Sequence, residues 1–223
     1  MEGNVRKILV YLTIFLTLAI IVVLGFMLKD VFTGSDVPQN PAEQAYVIAK
    51  AAVAKDPKNA DGLFKLSKAE ADLGRIGDAV QHIKRAIELS PSAPMLHYTL
   101  AQIYMDNGQE NEAIEELKAE LKVTEQKNEL AWYDLGVILN KKKDYNQAAF
   151  CLQKALQRMD GGADAHYQLG KAYEGLGRFD LAMNEYQQTL RFIPDHADAQ
   201  MAIQQLQVKL LRQNQAALGV KKK

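Results

Sequence analysis

Four histidines and one cysteine are the side chains best suited to metal or nucleophilic chemistry in this chain of 223 residues. His97 and His166 stand out as a pair of possible ligands or proton carriers. No further ligand is spaced to join them, and Leu63 and Trp132 occupy the equivalent positions, so both read as packing residues. His82 and His196 stand alone. Cys151, beside Leu152, reads as a half-buried structural thiol rather than a nucleophile. A single cysteine excludes an intrachain disulfide, a multi-cysteine zinc site and a haem attachment. The sequence contains no HExxH, GxxxxGK, GxSxG or CxxC, the spacings that metalloprotease, phosphate-binding, hydrolase and thiol-redox chemistry require. No catalytic, metal or cofactor site is therefore expected.

What does recur is spacing. Leu66, Leu100, Leu135 and Leu169 stand 34, 35 and 34 residues apart. Ala79, Ala113, Ala148 and Ala182 keep the same steps, as do Gly74, Gly108, Lys143 and Gly177, with one glycine replaced. Small residues Ser67, Ala101, Gly136 and Gly170 follow each leucine. A period of this size marks a stack of supersecondary units, each unable to bury its apolar face alone. Each unit reads as two helices. In the third, Ala131-Trp132-Tyr133-Asp134-Leu135-Gly136 opens the first helix, and Ala148, Leu152, Ala155 and Leu156 share one face of the second. Glycine ends the first helix in a left-handed cap, and Pro57, Pro91 and Pro194 stop second helices.

These residues resemble the tetratricopeptide repeat (TPR) family. Trp132, Leu135, Gly136, Ala148, Leu152 and Ala155 follow its pattern, with Leu152 in place of an aromatic. Leu169, Gly170, Tyr173, Ala182, Tyr186 and Pro194 follow it in the next unit. The resemblance implies an all-α protein, a right-handed α-solenoid of helical hairpins with a C-terminal capping helix. The repeat domain is expected over 42–212: a lone helix at 42–56, repeats at about 60–93, 94–128, 129–162 and 163–196, and a cap helix at 197–212. A frayed basic tail, 213–223, follows.

In this family the first helices line a concave groove. The resemblance places Phe64, Tyr98, Tyr133 and Tyr167 in one groove-facing column, with Lys68, Gln102, Val137 and Lys171 one turn on and Lys65 and Asn140 as polar handles. Such an aromatic ladder suits an extended or helical peptide. The alternative is that these tyrosines pack against the neighbouring repeat. The lysine–asparagine–arginine clamp by which related proteins hold chaperone tails is absent from the corresponding columns, so a co-chaperone is not expected.

One joint departs from the pattern. Glu120 stands where the other repeats have Ala86, Ala155 and Thr189, and an extra residue lengthens the following loop. This predicts either a weakened contact between the second and third repeats or a helix shifted so that Glu120 meets solvent.

Ile8 to Leu28 carry no charge, and of these 21 residues only Thr13, Thr17 and Gly25 fall outside the apolar set. As a helix the stretch would span about 31 Å, matching a bilayer core. It is longer than a secretory signal's apolar core and no small-x-small cleavage site follows. Residues 1–29 are therefore expected to be an uncleaved anchor, and 30–41, with its prolines and glycine, a linker. Arg6 and Lys7 before the span against Lys29 after it place the N-terminus in the cytoplasm and the repeats outside it.

The chain has 27 basic and 27 acidic residues and a mean hydropathy of −0.21. Neutrality argues against a nucleic-acid partner. It also hides segregation, since residues 91–127 carry seven acids and three bases. The expectation is a membrane-tethered scaffold that binds protein or peptide partners. Two alternatives remain: an envelope assembly factor resembling cytochrome c maturation or pilus-assembly proteins, and a self-associating subunit.

Overall fold

The computed structural model describes residues 40–159 and 161–217, together with Thr17 and Ile20. Among the described residues ten helices follow one another and no strand occurs. They are α1 (Pro41–Lys55), α2 (Ala60–Asp72), α3 (Ile76–Leu89), α4 (Leu96–Asp106), α5 (Glu110–Val123), α6 (Glu129–Lys141), α7 (Tyr145–Leu156), α8 (Ala163–Gly175), α9 (Phe179–Phe192) and α10 (Ala197–Ala217). Each packs chiefly on its sequence neighbours, so the protein is a stack of hairpins: α2–α3, α4–α5, α6–α7 and α8–α9, flanked by α1 and α10.

Within a hairpin the helices meet through the small-residue column. A Cβ on Gly136 would lie 2.6 Å from Leu152 Cγ, and one on Gly170 would lie 2.6 Å from Tyr186 Cε1. The first two hairpins carry Ser67 and Ala101 in this column, both wholly buried. Ala79, Ala113, Ala148 and Ala182 are wholly buried, as close helix crossing demands.

The turns explain the glycine column. Gly74, Gly108 and Gly177 have φ of 73°, 74° and 71°, and Lys143 adopts the same left-handed conformation at 63°. In all four repeats the next residue donates its backbone N–H to the carbonyl five residues back, at 2.8 to 2.9 Å, which closes the helix end.

Caps differ between repeats. The side chains of Asn59 and Asn128 accept from Gly62 N and Ala131 N and so cap α2 and α6. Ala93 stands in their column and has no side-chain acceptor to offer. There Pro94 and Met95 precede a helix that starts at Leu96, with Met95 at φ 71°. Glu120 takes over from α5: its carboxylate accepts from Met95 N at 2.9 Å and Tyr98 N at 3.3 Å, and from Asn128 Nδ2 at 3.0 Å. Glu120 is completely buried, held by the positive N-terminal end of α4 and by the cap of α6. This corrects the expectation that Glu120 meets solvent. Glu120 is not in solvent, and α5 meets α6 about as extensively as α3 meets α4 but less extensively than α7 meets α8. The extra residue is absorbed by Glu125 and Gln126, both left-handed at φ 51° and 66°.

The last helix runs to Ala217, beyond the Arg212 expected from sequence. Ala199 and Leu206 are buried, while Gln200, Gln204 and Gln207 face water. No helix among the described residues is long and apolar enough to cross a membrane. The anchor expected at 8–28 lies, apart from Thr17 and Ile20, outside the described residues.

Candidate functional site

The column Phe64, Tyr98, Tyr133 and Tyr167 is divided by the structure. Phe64, Tyr133 and Tyr167 are half-buried. Tyr98 is only 5% exposed, and its hydroxyl donates to Asp134 Oδ2 at 2.9 Å while accepting from Gln102 Nε2 at 3.2 Å. Burial and the Asp134 carboxylate push the Tyr98 phenol far above the ordinary range. Burial likewise raises Asp134, partly opposed by the hydrogen bond from Tyr98. Tyr98 thus departs from its expected place in an open ladder: it ties α4 to α6 across the joint between repeats. The adjacent-repeat alternative describes it.

Tyr133 keeps a half-exposed ring, its phenol raised by burial and by Asp164 and Asp134. Tyr167 rests against His196 with ring centroids 4.9 Å apart and against Tyr186 at 5.7 Å. Lys68 and Lys171 lean over the rings of Phe64 and Tyr167 at 5.9 and 5.7 Å, geometry that uses the ring face as an electrostatic partner. Lys65 is exposed and paired with Asp61 at 2.6 Å. Gln102 is exposed and Val137 half-buried.

Asn140 is the informative member. It is 8% exposed, and Nδ2 donates to Gln168 O at 2.8 Å. Its Oδ1 is a buried acceptor with no partner. A buried amide oxygen left unmatched costs about 1–3 kcal/mol. Asn140 lines a polar pocket of about 320 Å³ with Tyr145, Lys171, Glu174, Gly175 and Lys209. Glu174 accepts from Tyr186 Oη at 3.1 Å. Gly175 makes room for the Tyr145 ring, which a Cβ there would meet at 2.6 Å. Neither Lys171 nor Lys209 forms an ion pair among the described residues.

Sequence reasoning missed Asp134, Gln168 and Lys209. It also stopped the columns one unit early. Met201 stands one period after Tyr167 and is 51% exposed, and Val208 follows Glu174 and Asn140 in theirs, 48% exposed. Counting on by 34 into the cap helix would have found both.

Each of the four histidines has a hydrogen-bond partner. His97 and His166 bond Glu116 and Glu185 through Nδ1 at 2.7 Å, one repeat-equivalent pair in each of the second and fourth repeats. His82 bonds Glu70 at 2.7 Å, and His196 Nδ1 accepts from Ala199 N at 3.2 Å. No group of three metal-binding side chains occurs among the described residues.

Stacked two-helix units, closed by left-handed turns and packed through a small-residue column, define a helical-repeat protein of the solenoid class. A model of the tetratricopeptide repeat matches residues 70–132 and 139–206, more than half of the chain. The chain belongs to the tetratricopeptide repeat family. A crystal structure of MamA is 24% identical, covers 76% of this chain and 89% of its own, and superposes with a TM-score of 0.61. MamA 41-end from Desulfovibrio magneticus RS-1 gives 21%, 71% and 89%, with a TM-score of 0.65. YrrB, described as a TPR protein with an unusual peptide-binding site, gives 21%, 72% and 82%, with a TM-score of 0.66. At these identities the likeness establishes the fold. Comparison with curated proteins gave no match.

Proposed function

We propose that this protein is a membrane-tethered, non-enzymatic scaffold that captures protein segments in the concave groove lined by α2, α4, α6 and α8. The observation that carries the reading is the polar pocket of about 320 Å³ where Asn140 meets Lys171 and Lys209, two lysines that form no ion pair among the described residues. Lys171 and Lys209 would meet an acidic group of a bound segment. Tyr133 and Tyr167 supply large rings with little entropy to lose. The peptide-binding description of YrrB accords with this use of the fold.

Asn140→Ala and Tyr133→Ala should each weaken capture of the native partner at least tenfold in pull-down or calorimetry, with helicity unchanged. Unchanged capture by both variants refutes the groove assignment. The tether rests on the uncharged run Ile8–Leu28. The N-terminus is placed in the cytoplasm, with the repeats across the membrane. The full chain should resist carbonate extraction, and externally added protease should degrade the repeats in cells stripped of outer barriers. Protection of the repeats would reverse the orientation.

A further inference from the structure

The third repeat breaks a side-chain rule that the second and fourth obey. There, histidine on the first helix bonds glutamate on the second: His97 to Glu116, and His166 to Glu185, both at 2.7 Å. The same two columns hold Trp132 and Cys151 in the third repeat. No polar bond crosses between them, and burial pushes the Cys151 thiol up to about 12, so it is a neutral, apolar wall.

A third column changes with them. Gln81, Glu115 and Asn184 are exposed polar residues on their second helices, but here the residue is Phe150, 52% exposed. Its ring meets Trp132 edge-to-face at 5.7 Å. The lengthened loop completes the arrangement, because Gln126 O accepts from Trp132 Nε1 at 3.2 Å and fixes the indole. Together these changes open a cavity of about 420 Å³ between α5 and α7, lined by Leu121, Trp132, Leu135, Phe150 and Cys151, with Lys118 at its edge. Trp132 and Leu135 share one row of α6, while Tyr133, Val137 and Asn140 occupy another. The cavity therefore lies on the opposite side of the helix from the groove columns.

We propose that this cavity is a second binding site, which seats an aromatic side chain of a partner segment with an acidic residue next to it. The aromatic preference follows from the wall: indole and phenyl edges and faces, and a neutral thiol, favour another ring. The volume falls in the range of small-ligand sites. The acidic preference follows from the rim. Lys154 Nζ lies 5.6 Å from the Phe150 centroid and makes no ion pair among the described residues. Lys118 is bound only to exposed Glu115, at 2.9 Å. An acid beside the anchor would reach both cations.

Trp132 is the sole tryptophan of the chain, so occupancy can be read from its fluorescence. The probe is a capped tripeptide of aspartate, p-nitrophenylalanine and aspartate, whose nitro group quenches indole emission. Its control replaces both aspartates by lysine. Titrated into the full chain in detergent micelles, the acidic probe should quench Trp132 saturably, and the basic one at least fivefold more weakly. Phe150→Gln introduces a residue type already present in that column and should fold normally; it should weaken the acidic probe at least fivefold. Lys118→Gln with Lys154→Gln should abolish the preference between probes. Tyr133→Ala, which weakens the groove, should leave saturable quenching by the acidic probe in place. Equal, unsaturable quenching by the two probes, or a Phe150→Gln variant that binds as well as the parent at unchanged circular dichroism, would overturn the proposal.

Discussion

At the scale of single residues, Glu120 and Cys151 show how burial decides a role that residue type leaves open. Glu120 has no cation partner among the described residues; two backbone N–H groups and the Asn128 amide hold it. Glu120→Ala leaves those donors unmatched in a buried site and should cost about 2–4 kcal/mol. Glu120→Gln keeps the shape and should cost less. Urea denaturation of both variants orders them, and an alanine variant as stable as the parent would remove Glu120 from its capping role. Cys151 gives the pH dependence. Burial raises its folded thiol to about 12, above the ordinary thiol range near 9, so the folded state holds a proton that the unfolded chain releases. This contribution is complete below pH 9 and is lost as pH rises toward 12. Relative to Cys151→Ala, the parent should lose up to about 1.4 kcal/mol per pH unit across that window, measured as the difference in urea midpoints.

At the scale of elements, the helix ends were legible wherever the signal is local. The period of 34 placed all four hairpins, and the glycine column marked their turns. The cap of α4 was not legible, because its acceptor lies 25 residues away in sequence, on the following helix. The same limit hid the fate of Tyr98. It shares a column with Tyr133, yet Asp134, 36 residues on, draws it into the interior. Nothing near Tyr98 in sequence announces that partner. The candidate site was therefore half readable: its columns came from periodicity, but burial and hydrogen bonding within each column came from neighbouring repeats. The turn between α6 and α7 carries a prediction of its own. Lys143 holds a left-handed φ of 63° that its three counterparts meet with glycine. Lys143→Gly relieves steric strain of about 1–2 kcal/mol, partly offset by the entropy glycine loses on folding. The net gain should be about 0.5–1 kcal/mol, seen as a higher denaturant midpoint at unchanged slope.

At the scale of the whole molecule, stability in such a stack divides into repeats and the joints between them. The joint between the second and third repeats is held by Glu120 to Asn128, by Tyr98 to Asp134, and by Lys142 to Asn111 at 2.8 Å. The ends are held by less. In α1 only Ala49 is buried, while Val47 and Ile48 are 50% and 64% exposed. Hydrogen exchange should therefore begin at α1 and at the far end of α10, with α4 to α7 protected as one block. Tyr98→Phe and Glu120→Ala together cut two of the central ties, the second also uncapping α4. The double variant should unfold in two steps, with α2–α5 separating from α6–α9, while each single variant keeps one transition. Exchange that stays uniform across α5 and α6 in the double variant would mean that apolar packing alone couples the two halves. The buried polar ties would then serve to fix register rather than to hold the stack together.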